Sequence, residues 1–551
     1  MRPERAYINA TIHTVDVRGS VANAILLRNG RIAAIGTNAE ILAAAALSCE
    51  ISDARGRTIV PGFIDPHNHL SHAMLDAVSV DCSIPPHASL DEVLETIANA
   101  AMRLVPGQWL RGFGFTPWAL ADGREPTRQE LDEAVPDNPF FLQDVSCHRG
   151  WVNSAGLRDA GIDEYTPQPW GGVISKDHAG EPTGALLEAA VNPMQTRSWR
   201  SVVSRDPDAA LELLTTQMHY LSSLGITGVC DAAVTPDISA FYHRADVSGH
   251  LPFTVQQLHT GDDFFARQDP RRHDFIKRVH DRESDRLRSG TMKLFADPGF
   301  PDGPLISCSH GDTHVHRGSA WYGAKEISDI VTTADELGID AAVHAMGNWS
   351  VDAALDAYEA VRRSPKDRER LLRIEHAFVA APGTQAPRMA ALGVDLVAMP
   401  GLIHDTGPSF DQGWRAELRH ELTIIPIRSM IDAGVRVSFA SDAPTGPVSP
   451  IELMWNAVTR MSQTGEPIDP DEAVTAAQAL RCATINAAHA AGRSAEEGSL
   501  EVGKRANLVV IDRDILSCTS DDLRATGVLE TVVDGQTIFD GYESVAAAAA
   551  S

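Results

Sequence analysis

Cysteine is scarce and scattered in this chain: seven in 551 residues (49, 82, 147, 230, 308, 482 and 518), with no CxxC pair among them. An odd, dispersed set excludes a disulfide framework and a zinc-finger cluster. The cysteines read instead as small buried hydrophobes of a reducing compartment. Long apolar runs are also missing. None approaches the ~18–20 residues that a membrane span needs. Met1-Arg2-Pro3-Glu4-Arg5 runs directly into strand-like sequence, without the apolar core of a signal peptide. Cytoplasmic residence without a membrane partner is the expectation. Basic charge is in deficit, with 47 Lys and Arg against 74 Asp and Glu for a net −27. That balance disfavours nucleic acid and anionic lipid as partners. What is present is an ordinary globular composition, 43% hydrophobic and 22% charged, in a chain long enough for a large core and a second domain.

Both ends of the chain are strand-rich. Ala24–Arg28 and Arg31–Gly36 flank Asn29-Gly30, a favoured two-residue hairpin turn. Near the other end, 507–511, 528–533 and 536–539 read as strands, with Asp534-Gly535 as a turn signal. One small β-sandwich domain built from residues 1–60 and 495–545 is expected, with a frayed tail at Ala546–Ser551. Between them, short apolar runs at 58–64, 226–231, 252–258, 291–297, 340–345, 371–377, 395–399 and 435–441 alternate with helix-periodic stretches such as 325–337, 349–362 and 472–488. Eight strands alternating with helices predict an α/β fold, a TIM-like (β/α)₈ barrel over residues 61–494. Residues 79–205, rich in Pro, Gly and Trp, show no clean βα rhythm and read as a cap inserted over the barrel mouth.

Pro61-Gly62-Phe63-Ile64-Asp65-Pro66-His67-Asn68-His69 is the most informative stretch. A strand alternates its faces, so the imidazoles of an HxH at a strand end point the same way and can bind one ion. Lys293 lies in the fourth expected strand, His344 ends the fifth, His376 ends the sixth and Asp442 follows the eighth. Each has an ordinary explanation taken singly: a hydrogen-bonded structural histidine, a lysine reaching out of the barrel, an aspartate in a turn before Ala443-Pro444. In a (β/α)₈ barrel, however, all the strand ends meet on one face. Several nitrogens and a carboxylate there make a site for a divalent metal, zinc expected, as one or two ions. A second HxH, His314-Val315-His316, sits in a polar, Gly- and Pro-bounded setting. It reads as a strandless, mobile loop after strand four and not as the metal site. His148 and Trp151 in the cap are candidates for facing substrate.

Taken together these residues resemble the amidohydrolase superfamily, and within it the amidohydrolase-3 branch that includes N-substituted formamide deformylases. The motifs run the length of the chain: PGFIDPHNH (61–69), VNSAGL (152–157), GEPTGALLE (180–188), MKLFAD (292–297), VHAMGN (343–348), IEHA (374–377), SFASDAP (438–444) and GSLEVGKRANLVVID (498–512). The resemblance implies His67 and His69 as ligands of the more buried metal, and His344 and His376 as ligands of a second or shared site. It implies Asp442 as ligand and general base. Lys293 matches a lysine that such enzymes can carboxylate to bridge two metals. Two departures stand out: Asn507 where the family usually has Asp, and Met399-Pro400-Gly401 where it usually has Gln-Pro. The second points to altered substrate contacts near strand seven.

The expected activity is hydrolysis of a carbon–nitrogen bond in a small amide-like molecule by metal-activated water. Ester or carbamate hydrolysis and ring deamination share the same metal chemistry and stay open at this stage. So does assembly as a homodimer. A barrel that merely binds a ligand would need all these ligands to be vestigial.

Overall fold

A computed structural model describes residues 4–260, 283–299, 306–310, 313–363, 370–408 and 422–542. Its centre is an eight-stranded parallel sheet: β1 (Phe63–Asn68), β2 (Ile226–Val234), β3 (Thr254–His259), β4 (Leu287–Phe295), β5 (Asp340–Ala345), β6 (Leu372–His376), β7 (Asp395–Ala398) and β8 (Val437–Phe439). Each strand pairs with its sequence neighbour, in the order β8-β7-β6-β5-β4-β3-β2-β1. The sheet curls until β8 meets β1. There the Asp442 N–H donates to the His67 carbonyl at 2.9 Å, and the Ser441 N–H donates to the Asp65 carboxylate at 3.1 Å. The expected barrel is therefore present. Its strands are buried on both faces, as a parallel sheet wrapped by helices requires.

The run 58–64 does not form one strand. Thr58–Pro61 pairs with Thr11–Ile12 and with Leu508–Ile511 in a terminal sheet, and only Phe63–Asn68 enters the barrel. Gly62 is the switch: a Cβ there would lie 2.2 Å from Thr227 Oγ1, so only a bare backbone passes this close to β2. The six-stranded terminal sheet draws on both chain ends. A second sheet of four strands uses Arg5–Ile8, Ala24–Arg28, Arg31–Gly36 and Glu50–Asp53. The periodic stretch 472–488 is likewise not one helix. It divides into Ala476–Ala483 and Ile485–Ala490 at Thr484, whose φ/ψ of −127°/−92° is not helical.

The cap region contains a six-stranded sheet running from Val80 to Glu188. Glycines masked its strands in the sequence. At Gly150 a Cβ would lie 2.2 Å from the Phe141 ring, so the small residue marks a close approach between strands rather than a break. The 306–317 stretch, expected to be strandless, is an antiparallel pair of Ile306–His310 with Thr313–Arg317. The side chains of His314 and His316 lie outside the described residues.

Candidate metal centre and active site

The ends of β1, β4, β5, β6 and the turn after β8 bring His67, His69, Lys293, His344, His376 and Asp442 to one region, all buried. Asp442 Oδ1 is 3.1 Å from His69 Nε2 and 3.3 Å from His67 Nε2. These three residues form a cluster whose candidate ligand atoms lie within 4.8 Å of one another. Lys293 Nζ is 3.4 Å from His67 Nε2. The rings then continue as a row, with centroids 5.1 Å apart for His67–His376, 4.4 Å for His376–His344 and 5.8 Å for His344–His148. The period-two argument for HxH thus places both β1 imidazoles against one carboxylate. Asp442 and His376 have φ of 55° and 75°. Positive φ costs a non-glycine residue about 1–3 kcal/mol, a strain that recurs at functional sites.

Burial sets the protonation states. It holds His67 and His344 well below the usual imidazole range, helped at His67 by the Lys293 charge and at His344 by His376. Burial likewise lowers His376 to about 4. Neutral imidazole is the form that ligates a metal. Burial lowers Lys293 to about 8, against the pull of Glu375 and Asp442. At Asp442 burial works against ionisation, but the His69 hydrogen bond and the nearby His67 and His376 outweigh it and hold the carboxyl well below its usual range. Burial also opposes charge on His148, yet Glu188, 2.7 Å from its Nδ1, raises it above the ordinary value.

This donor set fits a divalent cation. His344 Nε2 and His376 Nδ1 are buried and make no hydrogen bond among the described residues. An orphaned buried polar atom costs about 1–3 kcal/mol, a cost that coordination of either ring would relieve. His67 Nδ1 is 2.5 Å from Glu375 Oε2, and His69 Nδ1 is 3.0 Å from the Ala232 carbonyl oxygen, so each ring is held from behind.

Above the cluster lies a chamber of about 460 Å³ that His148, His344, His376 and Asp442 line from below and Ile84 and Trp118 from the cap. Leu402, Asp405 and Thr406, just beyond β7, form part of its wall, which is where the sequence departs from the Gln-Pro pattern. At its floor a recess of about 20 Å³ is lined by His67, His69, Cys147 and Phe295, among others. His148 therefore faces the chamber, but Trp151 does not. Its ring is packed edge-on to Phe115 inside the cap at 5.2 Å, and its Nε1 donates to Glu125 at 3.1 Å. The physical reason is alternation: residues three apart along an extended segment point to opposite faces.

Four residues that bear on the site were not singled out from sequence. Arg373 and Glu375 sit behind His67. Asp297 is fully buried, accepts from the Met346 and Gly347 N–H groups at 2.9 Å each, and lies 3.8 Å from His344 Nε2. Glu188 holds His148. Three of the four lie inside the motifs quoted above, as their acidic residues; Arg373 stands just before IEHA.

Comparison with known proteins agrees with this architecture. A family model described as the amidohydrolase family, Amidohydro_3, matches residues 50–539. The N-substituted formamide deformylase of Arthrobacter pascens is 52% identical over 528 residues, covering 96% of this chain and 97% of the relative. A metal-dependent hydrolase from Pyrococcus furiosus superposes with a TM-score of 0.69 at 25% identity, over 93% of this chain and 100% of that one. One from Pyrococcus horikoshii gives a TM-score of 0.73 at 22% identity, over 94% and 99%, a likeness of fold. With barrel, strand-end histidines and full-length similarity all in agreement, the chain belongs to the amidohydrolase family of enzymes.

Proposed function

We propose that this chain is a metal-dependent hydrolase that cleaves the carbon–nitrogen bond of a small N-substituted amide, with Asp442 as general base. The observation that carries the reading is the convergence of His67 and His69 on the Asp442 carboxylate at the mouth of the barrel. The similarity to a protein named N-substituted formamide deformylase makes formamides the first substrates to test. A divalent cation, zinc by donor chemistry, would polarise the scissile carbonyl and lower the pKa of water toward about 7.

The residues of the chain supply the rest. His67, His69, His344 and His376 would hold the metal, and burial keeps His67, His344 and His376 in the neutral form that ligates it. Asp442, ionised at neutral pH, accepts the proton of the attacking water and delivers it to the departing nitrogen. His148, oriented by Glu188, faces the substrate from the cap. The cap closes the chamber from above and limits water around the reacting bond.

Lys293, carboxylated to a carbamate, would complete the ligand set and supply an anionic group to the metal. An amine must be neutral to take up carbon dioxide, and burial of Lys293 moves it in that direction. Carboxylation turns a cation into a bidentate anion, which accounts for a lysine buried beside His67. Lys293→Ala is expected to lose one metal equivalent and about 10²-fold or more in turnover, with partial recovery on adding a short-chain carboxylic acid. Full metal content and activity in that variant would remove the ligand role.

The reading as a whole is tested by a hydrolysis screen of purified enzyme against N-substituted formamides, acylated amines, carbamates and esters. Amide cleavage ahead of the other classes is expected. Preference for esters, or ammonia release from a ring substrate, would overturn the assignment of bond type.

A further inference from the structure

We propose that Glu375, clamped by Arg373, is a positioning residue that fixes the tautomer of His67 and aims its Nε2 into the metal site. The proposal rests on the metal reading above and adds to it a three-residue chain reaching from the barrel core to a ligand.

Arg373 and Glu375 are two apart on β6 and share its inward face. Both are fully buried. Arg373 grips the carboxylate with two hydrogen bonds, Nε to Oε1 at 2.5 Å and Nη2 to Oε2 at 3.1 Å. Such a bidentate pair holds the carboxylate in one orientation. The guanidinium also donates to the Ala490 carbonyl at 2.8 Å and to the carbonyl of Pro66, the residue before His67. One side chain therefore holds both the backbone of β1 and the group behind its first histidine.

Glu375 Oε2 lies 2.5 Å from His67 Nδ1. A carboxylate can only accept, so Nδ1 carries the proton and the Nε2 lone pair is left for the metal. That Nε2 faces the site, 3.3 Å from Asp442 Oδ1 and 3.4 Å from Lys293 Nζ. His69 is treated differently, because a neutral backbone carbonyl lies behind its Nδ1. The anion behind His67 strengthens it as an electron donor more than a carbonyl does. A buried ion pair in a barrel core is otherwise an expensive way to fill space, and the contact with His67 supplies its purpose.

The test is zinc affinity, measured on purified enzyme against a competing chelator. Glu375→Gln is nearly isosteric and is expected to weaken zinc binding about 10–100-fold. It leaves the Arg373 charge buried without its partner, so the double variant Arg373→Met/Glu375→Gln is measured beside it. With no charge left over, the double variant is expected to unfold at a temperature close to the parent's and still to show weakened zinc binding. In a His67→Ala background, Glu375→Gln is expected to change the remaining affinity little. A folded Glu375→Gln or double variant with zinc affinity within about twofold of the parent overturns the proposal. So does an equal loss in the His67→Ala background, which would make Glu375 a general structural residue. If the parent enzyme binds no zinc, the metal reading falls and this proposal falls with it. If the parent binds zinc and Glu375→Gln binds it equally, only the positioning role is lost.

Discussion

Asp442→Asn is expected to keep the fold and much of the metal while losing about 10²–10⁴-fold in turnover, or about 3–5 kcal/mol of barrier. Asparagine is nearly isosteric and retains one oxygen for coordination. It has no basic site comparable to a carboxylate, so it cannot take the proton of the attacking water. The backbone work of residue 442 is independent of the substitution: its N–H donates to the His67 carbonyl and its own carbonyl accepts from the Thr445 N–H. Its φ of 55° is one that asparagine tolerates as well as aspartate does. If Asp442 were an ordinary turn residue, the change would cost at most about 1 kcal/mol of stability and leave kcat nearly untouched. The two outcomes lie orders of magnitude apart, and kcat with metal content on this one variant separates them.

His67→Ala is expected to abolish activity and to release metal, whereas His314→Ala and His316→Ala are expected to leave metal content unchanged. His67 touches several groups of the site: Glu375 behind it, and Asp442, Lys293 and the His376 ring around it. Its truncation removes a donor and leaves the Glu375 carboxylate facing a cavity in the barrel core. The Arg373 hydrogen bonds remain, but the cavity and the lost hydrogen bond to a buried carboxylate are both costly, so some loss of thermal stability is expected with the loss of metal. The other two histidines alternate with Val315 in Thr313–Arg317, a strand that among the described residues pairs with Ile306–His310 and lies outside the barrel sheet. Elemental analysis of the purified variants checks the contrast. Equal metal loss from both sets would show that the second HxH is a metal site.

The barrel was legible in the sequence because its strands are short apolar runs buried on both faces, and such runs stand out whatever their surroundings. The 340–345 run corresponds to β5 residue for residue, Asp340–Ala345. The first strand was misjoined at Gly62, because a change of sheet within a continuous extended segment leaves hydrophobicity unaltered. The convergence of His67, His69, His344, His376 and Asp442 was legible through the topology alone, since barrel strand ends share one face. The groups behind them were not. Arg373 and Glu375 are charged residues in a buried strand, and only the fold reveals that Glu375 reaches a histidine 308 positions earlier. The cap was opaque for a different reason: its strands carry glycines where neighbouring strands approach closely, so they read as loop. The pair 306–310 and 313–317 was missed although Gly311-Asp312 separates two alternating segments, a signal of the hairpin type.

The most direct test of the central claim is a metal titration of the purified, chelator-stripped enzyme followed by hydrolysis of an N-substituted formamide. Activity is expected to be absent in the stripped protein and to rise in proportion to bound zinc, reaching its plateau at one or two ions per chain. Full activity in protein carrying less than about 0.2 metal per chain would contradict the account.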